Sequence, residues 1–437
     1  MSDSPTFTSK DYNKHENQII KVRALYDGSD SAVKFLRQFP KEENDVYAER
    51  QEDSALDSFV YSTANTIKNI IFRKPIDLTG VQNSQVQEWL KKVDFVNSIN
   101  KFSKNMMVNR ILDGKTYLLV DRMTFNPEET QNGSQQSDFD KQPYFVNILR
   151  NNVFNKEYDI FNTLTKVSIR EFYTEKIGEF GSEEKEQVKV WYNDGKIEVW
   201  RDDKVYSSLQ TKLKVIPLIE IGNDENPPLY NQAKLNVQHF NRNSECSNYV
   251  RTGASPFLAV FGNIDGGDKP KTLGINSGLK FSDVQQSDVK WVEMTGKNYE
   301  IINKEITKLE DQMLRIAINF VSDQQNKTAT QVEKESMEAE SKLTDYAKEI
   351  EEGISDGLAL MQLYSDAPLG ENTIEMNKDY SNNILTPEQA NSYRLDYTQG
   401  IISLDRLWQL YAKGEYIPLL DEKKQEAEKA LLKDSGI

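Results

Sequence analysis

The side chains that most often carry chemistry are scarce in this chain. Of its 437 residues, two are histidine, His15 and His239, and one is cysteine, Cys246. Neither histidine has another His or Cys at ligand spacing, so zinc patterns of the HExxH or CxxC kind are absent. His239 reads as a plain helix-surface or interface histidine. Cys246 lacks a histidine placed to activate it and reads as a buried thiol at a helix contact. The sequence holds no GxxxxGK[ST], GxGxxG or GxSxG, which leaves nucleotide binding and a serine nucleophile without support. The stretch from Gly262 to Gly267 follows an apolar run and has the glycines of a phosphate cradle. However, Asp265 and Asp268 would repel phosphate and no helix opens after it, so a hairpin turn is the better reading.

Carboxylates are abundant, 69 in all, so a pair suited to hydrolysis arises by chance. Glu333, Glu335, Glu338, Glu340, Glu349, Glu351 and Glu352 mostly fall on the polar face of one helix, where solvation is the ordinary role. An Asp/Glu metal site leaves no fixed spacing and stays open at this point. No catalytic, cofactor-binding or metal-ligating residue is therefore assigned, and no cofactor is expected.

What positions these residues is an alternation of helix and sheet. Apolar spacing predicts a helix over 45–72, ended by Arg73-Lys74-Pro75, and another from Gln85 to Leu112 before Asp113-Gly114. Residues 1–44 are polar and mixed, and are expected to form a loosely held arm with a short helix or two. Strand-forming runs follow at 116–120, 144–149, 167–173, 188–192, 197–200 and 215–221, with a hairpin turn at Asn193-Asp194-Gly195. They read as one antiparallel set. Pro227-Pro228 then opens a helix reaching about Thr252. Its apolar face (Leu229, Ala233, Val237, Phe240) is thin. Asn231, Asn236, Asn241, Asn243 and Asn248 are poor helix formers. Such a helix is expected to stand beside copies of itself and not inside a monomer's core.

A small β-rich module occupies 257–293. After it, Ile302, Ile306, Leu309, Met313, Ile316 and Phe320 form one helical stripe, and a polar loop follows at 322–327. Thr330 with Glu333 makes a capping box. The helix it opens carries the stripe Ala339, Leu343, Tyr346, Ile350, Ile354, Leu358 and Met361. A short strand at 373–376 precedes a helical subdomain capped by Thr386-Pro387-Glu388. The fold class is α+β, with two long helices bracketing a small β-module.

The net charge of -15 argues against a protein that grips nucleic acid, which needs a basic stripe to displace counterions. An acidic surface suits DNA that must slide past without sticking. The 19 Phe, 20 Tyr and 5 Trp supply enough core material to exclude wholesale disorder. No apolar run reaches the 18 or so residues needed to span a bilayer, and residues 1–5 do not read as a secretory signal. No membrane partner is expected.

In this order the elements resemble the stem, clip, stem and tunnel-loop series of the portal proteins of tailed bacteriophages. Their short-portal group shows a tyrosine, an arginine and an aromatic-bearing helix ending in a Phe-basic-Pro step. Here that pattern reads Tyr47, Arg50, Phe59, Thr63, Ile67 and Phe72-Arg73-Lys74-Pro75. Ile216-Pro217-Leu218, Leu235 to Phe240, Thr328-Ala329-Thr330 with Glu333 to Glu340, Asp379-Tyr380 and Leu385 to Glu388 are similar as well. Gln238-His239-Phe240 departs from the family's His-Tyr step. The likeness runs from about Asp45 to Ala430.

The resemblance implies a portal fold in a ring of twelve copies at a capsid vertex, a DNA channel and not an enzyme. It assigns 1–44 to an N-terminal arm, 45–225 to the wing and 226–253 to a stem helix. It assigns 254–297 to the clip, 298–321 to the second stem helix and 322–329 to the tunnel loop. Residues 330–385 become a long tunnel and wing helix with a wing strand, and 386–437 the crown. Gln324, Gln325, Asn326, Lys327 and Thr328 would face DNA. Ile264, Asp265, Gly266, Gly267, Asp268 and Lys269 would form the clip's docking surface. The implied partners are further copies, double-stranded DNA in transit, the terminase large subunit, head-tail adaptor or tail proteins and the major capsid protein. The implied location is the virion, with assembly in the host cytoplasm. Two alternatives are another virion structural or adaptor protein, and a carboxylate-based hydrolase with a deep acid-lined pocket.

Overall fold

The computed structural model describes residues 4–122, 142–211, 213–253, 257–261, 288–292, 297–318, 329–364, 368–378, 380 and 387–413. Two units are distinct, residues 1–378 and 379–437.

The N-terminal segment is a firmly packed element, contrary to the loose arm expected. Helix α1 (Lys10–Asp27) starts where the Ser9 side chain accepts the Tyr12 N–H, and it buries Ile19, Val22 and Leu25 completely. Arg23 donates two 2.7 Å bonds to the Asp113 carboxylate, which pins α1 to a later helix. Spread through a polar sequence, these three apolar residues at i, i+3 and i+6 are a weak pattern.

A four-residue turn, α2 (Ser29–Ala32), leads to α3 (Asn44–Asp53) and α4 (Phe59–Ile71). The single helix expected over 45–72 is thus broken at 54–58, where Ser58 caps α4 by accepting the Tyr61 N–H at 3.0 Å. The helix expected from Gln85 to Leu112 is likewise two, α5 (Ser84–Lys91) and α6 (Ile99–Asp113). Between them Asp94 accepts the N–H groups of Val96 and Asn97, a turn that outcompetes helix, and Phe95 takes φ +66°.

The strands form two sheets instead of one set. β1 (Thr116–Arg122) lies between β2 (Pro143–Leu149) and β8 (Leu218–Ile221), antiparallel to both. The second sheet is the meander β3 (Val153–Tyr158), β4 (Leu164–Ile177), β5 (Gly181–Tyr192), β6 (Lys196–Arg201) and β7 (Lys204–Gln210). The expected strand at 215–221 therefore leaves the meander and closes the smaller sheet. Tyr117, Leu119, Ile148, Val153, Val167, Ile169, Trp191 and Ile197 form one core that joins the sheets. β7 is exposed along its whole length, which is why it lacks the in-out alternation that marks a half-buried strand.

The longest helix, α9 (Ala329–Met361), spans 33 residues, about 50 Å at 1.5 Å per residue. All seven residues of its predicted stripe, from Ala339 to Met361, are buried. Its close seat on the smaller sheet depends on Gly353 and Gly357. A Cβ on Gly357 would fall 2.8 Å from a Leu118 methyl and 2.9 Å from the Phe145 ring, and one on Gly353 2.5 Å from Ile221. The strand expected at 373–376 is reduced to two isolated bridges, Asp77 to Glu375 and Val81 to Asn372.

In the second unit, α10 (Pro387–Thr398) and α11 (Leu404–Lys413) pack on one another. Ala390 and Leu407 are buried there, and the Tyr411 hydroxyl donates to the Ala390 carbonyl at 2.9 Å.

Candidate functional site

The segment expected to matter most is built on helices α7 (Tyr230–Gly253) and α8 (Lys297–Ile318), with the antiparallel strands β9 (Phe257–Phe261) and β10 (Asp288–Val292) between them. The helices run antiparallel. Gln232 reaches the Met313 carbonyl, His239 reaches Glu310 and Arg242 reaches Glu305, so numbers rise on one helix as they fall on the other. On α8, Ile306 and Met313 are buried, and Ile302, Leu309 and Ile316 are half-buried. These five residues of the stripe read from the sequence form the seam between the two helices, and the sixth, Phe320, lies outside the described residues.

The inner half of α7 is sealed by its own chain, which corrects the expectation that the whole helix would rest on neighbouring copies. Leu229, Gln232, Ala233, Asn236, His239 and Phe240 are fully buried. Two of its asparagines, Asn236 and Asn241, form tertiary hydrogen bonds, so helix propensity alone misjudged them. The Asn236 side chain accepts the Phe59 N–H at 3.0 Å and donates to the Asp57 carbonyl at 2.8 Å, capping α4 from outside. Asn241 accepts the Arg37 N–H at 2.8 Å and donates to the Phe35 carbonyl at 3.0 Å. The breaks between the N-terminal helices thus have their backbone groups satisfied by α7. Replacing Asn236 by alanine leaves both partners unmet and is expected to cost about 2 kcal/mol in urea denaturation. A change below about 0.5 kcal/mol would show that water replaces the amide without loss.

Three of the N-terminal motif positions meet along α7. Arg50 donates to Ser244 at 2.9 Å, Thr63 accepts from Gln232 at 2.8 Å, and the Phe59 ring lies edge-on to His239 with centroids 5.5 Å apart. His239 is fully buried and its Nε2 lies 3.2 Å from the Glu310 carboxylate, so it is an interior residue and not a surface one. Cys246 is half-buried, and its thiol pKa is pushed up by burial and by the Glu245 carboxylate, the opposite of an activated nucleophile. His15 lies in the core between α1 and Arg150, with Nδ1 3.0 Å from that guanidinium.

The tunnel-loop residues Gln324, Gln325, Asn326, Lys327 and Thr328 lie outside the described residues. So do the clip residues Ile264, Asp265, Gly266, Gly267, Asp268 and Lys269 and the loop from Asn126 to Asp140. The strands that flank the last two segments are paired, β9 with β10 and β1 with β2. α9 begins at Ala329, one residue before the expected cap at Thr330.

A cavity of about 660 Å³ flanks the helix pair, lined among others by Arg37, Phe39, Arg242, Glu245, Glu305 and Leu309. Its two carboxylates both face Arg242, Glu245 at 2.6 Å and Glu305 at 3.2 Å. Hydrolysis by an acid pair needs one carboxyl held protonated beside an apolar wall. Two carboxylates sharing one guanidinium form an ion-pair cluster instead. Among the described residues no group of three or more His, Cys, Asp or Glu could hold a metal ion, and no helix is long and apolar enough to cross a membrane.

The outer faces of the pair remain open. Ile301 is 61% exposed, Leu314 49%, Tyr299 40% and, near the end of α7, Val250 48%. At 100° per residue Ile301 and Leu314 lie about 140° apart around α8, one on each flank of the buried stripe.

The sequence profile of a family described as a domain of unknown function, DUF4055, matches residues 228–365, from the start of α7 to just beyond α9. No curated protein matches the chain. Among solved structures, the chain is similar to one in the neck of an empty GTA particle computed with C6 symmetry. That match has 12% identity and a TM-score of 0.44, and covers 86% of this chain and 95% of that one. A chain in the neck of a native GTA particle computed with C12 symmetry matches at 11% identity and a TM-score of 0.40, covering 80% and 89%. One in the virion of a native gene transfer agent particle matches at 11% and 0.42, covering 89% and 98%.

Proposed function

We propose that this chain is a portal-type protein, a virion component that closes into a ring and guides double-stranded DNA through its axis. In this reading α7 and α8 are the stem and 254–297 the clip that docks terminase and then the head-tail adaptor or tail proteins. Residues 322–329 are the tunnel loop and 386–437 the crown. Twelve copies at the capsid vertex, in contact with the major capsid protein, are the expected assembly. The chain's role is that of a conduit, without a catalytic centre or cofactor.

The observation that carries this reading is the apolar residue on each flank of α8. A helix in a closed ring meets a neighbour on both sides, through two different surfaces. Ile301 and Leu314 supply one apolar contact to each side while the seam between them stays buried in the chain's own α7. The motif residues Arg50, Phe59 and Thr63 support it further, since they brace α7 from within one copy and leave α8 to face outward. A formal charge of -15 per copy gives the ring an acidic field that keeps DNA from adhering.

Negative-stain images of the purified protein are expected to show rings with a central hole. Replacing Leu314 by glutamate, or Ile301 by glutamate, is expected to abolish the rings and change the stability of the single chain by no more than about 1 kcal/mol, because about half or more of each side chain is already in water. Monomers without a hole at every protein concentration would refute the proposal.

A further inference from the structure

The chain holds 69 Asp and Glu against 54 Lys and Arg, yet no carboxylate occurs from Ser58 to Ile76 or from Phe95 to Leu112. These stretches contain α4 and α6, which pack on each other. Together they present Lys68, Lys101 and Lys104. Lys101 and Lys104 are exposed and one turn apart on α6, and the Lys104 ammonium lies 6.0 Å from the centre of the Phe72 ring, at the end of α4. Burial and the nearby Lys104 charge hold the Lys68 pKa below the usual lysine range. Among the described residues, Lys68 donates to the Asn65 side chain, and none of the three lysines pairs with a carboxylate. In an acidic chain, this is a cationic surface that meets no carboxylate among the described residues.

The opposite case is found on the larger sheet. β6 pairs with β5 only between Val188 and Trp191, so β4 and β5 run on beyond the sheet as a two-stranded ribbon closed near Gly178. Residues 171–186 of this ribbon contain six glutamates against Lys176 and Lys185. Lys185 is taken up by Glu175 and Glu183, whereas Glu179 and Glu184 form no ion pair among the described residues. At the tip Phe180 is 95% exposed and Ile177 56%. An isolated two-stranded ribbon is at best marginally stable in water and has no second layer on which to bury such side chains.

We propose that the β4–β5 ribbon of one copy docks on the Lys68, Lys101 and Lys104 surface of the adjacent copy. Glutamates of the ribbon meet the lysines, and the Phe180 ring offers its face to a lysine ammonium. The two surfaces differ, so the contact runs head to tail and repeats around a ring. A second copy fits better than nucleic acid: three lysines displace few counterions, and DNA would also face the field of a chain with a charge of -15. The inference rests on the ring-forming reading.

The test is a charge swap read by sedimentation velocity at low salt. Lys101→Glu with Lys104→Glu, and separately Glu179→Lys with Glu184→Lys, are each expected to weaken assembly about tenfold. Combining all four is expected to bring it back to within about twofold of the unmodified chain. All four substituted side chains are exposed, and circular dichroism of each variant verifies the fold. Rings that form equally well in every variant, or a combined variant no better than its parents, overturn the docking and leave the ring reading in place. Normal assembly with a loss of duplex DNA binding in the Lys101→Glu, Lys104→Glu protein assigns the surface to DNA and overturns it too. An unmodified chain that never assembles refutes the ring itself.

Discussion

Replacing Arg110 by alanine is expected to destabilise the fold by about 3 kcal/mol, read as a fall of about 1 M in the urea midpoint. The guanidinium is 1% exposed and joins three elements. It donates to the Glu349 carboxylate of α9 at 2.7 and 3.1 Å and to Asp224 at 2.8 Å, and it lies 4.9 Å from the centre of the Tyr346 ring. Without it, two carboxylates lose their counter-charge and a large side chain leaves a void. Asp224 and Glu349 are 40% and 25% exposed, so water offsets part of the loss and the figure sits at the low end for a broken buried pair. Gly222 belongs to the same arrangement. It takes φ +83°, and a Cβ there would fall 1.9 Å from Arg110 Nε. Gly222→Ala is therefore expected to damage the same junction, by backbone strain and by expelling the guanidinium. An Arg110→Ala protein that melts with the unmodified chain would show that α9 is held by its apolar stripe alone.

The second large effect is expected from Arg50→Ala, about 3 to 5 kcal/mol in the same measurement. Here both members of the ion pair are hidden, Arg50 and Glu42 each 5% exposed. The guanidinium donates to both Glu42 oxygens at 2.8 Å, to the Arg37 carbonyl at 2.6 Å and to Ser244 at 2.9 Å, and it stacks 3.9 Å from the Phe39 ring centre. Its removal leaves the buried carboxylate with the Phe39 N–H but no counter-charge, and takes away the Arg50 link between the 37–42 loop and Ser244 of α7. The pair also sets a pH dependence. Hydrogen bonds from Arg50 hold the Glu42 carboxyl below its ordinary value of 4.5. A depressed folded-state value stabilises the fold fully above pH 4.5, and the contribution is lost as the pH falls through that lower value. The gap between Arg50→Ala and the unmodified chain is therefore expected to narrow below that pH. A gap that stays constant down to pH 3 would place the effect in the lost stacking and not in the charge.

Legibility followed the physical range of each signal. The α9 stripe from Ala339 to Met361 and the α8 stripe around Ile306 and Met313 were readable, since period 3.6 is local and both helices bury one face. The strands at 116–120, 144–149 and 188–200 were readable through their β-branched and aromatic runs and the turn at 193–195. The helix breaks at 54–58 and 92–98 were not, because the groups that end those helices come partly from elsewhere. Asn236 lies 177 positions from the Phe59 amide it accepts. Nor was the firmness of the N-terminal segment, which depends on Arg23 reaching Asp113.

By itself the sequence determined the mixed helix and sheet composition, the order of the long helices around a strand pair, and the absence of the common catalytic and nucleotide-binding motifs. It also carried Tyr47, Arg50, Phe59 and Thr63 as a pattern without a stated purpose. Only the tertiary structure decided what that pattern is for. Arg50, Phe59 and Thr63 converge on α7, and Tyr47 donates to the Leu36 carbonyl at 2.8 Å beside them. It likewise decided that Asn236 and Asn241 of α7 are tertiary hydrogen-bonding groups, and that α8 leaves one apolar residue exposed on each flank. The reason is the same throughout. Periodicity reports which face of an element is apolar, whereas the partner that satisfies a buried polar group is chosen by chain segments far away in sequence.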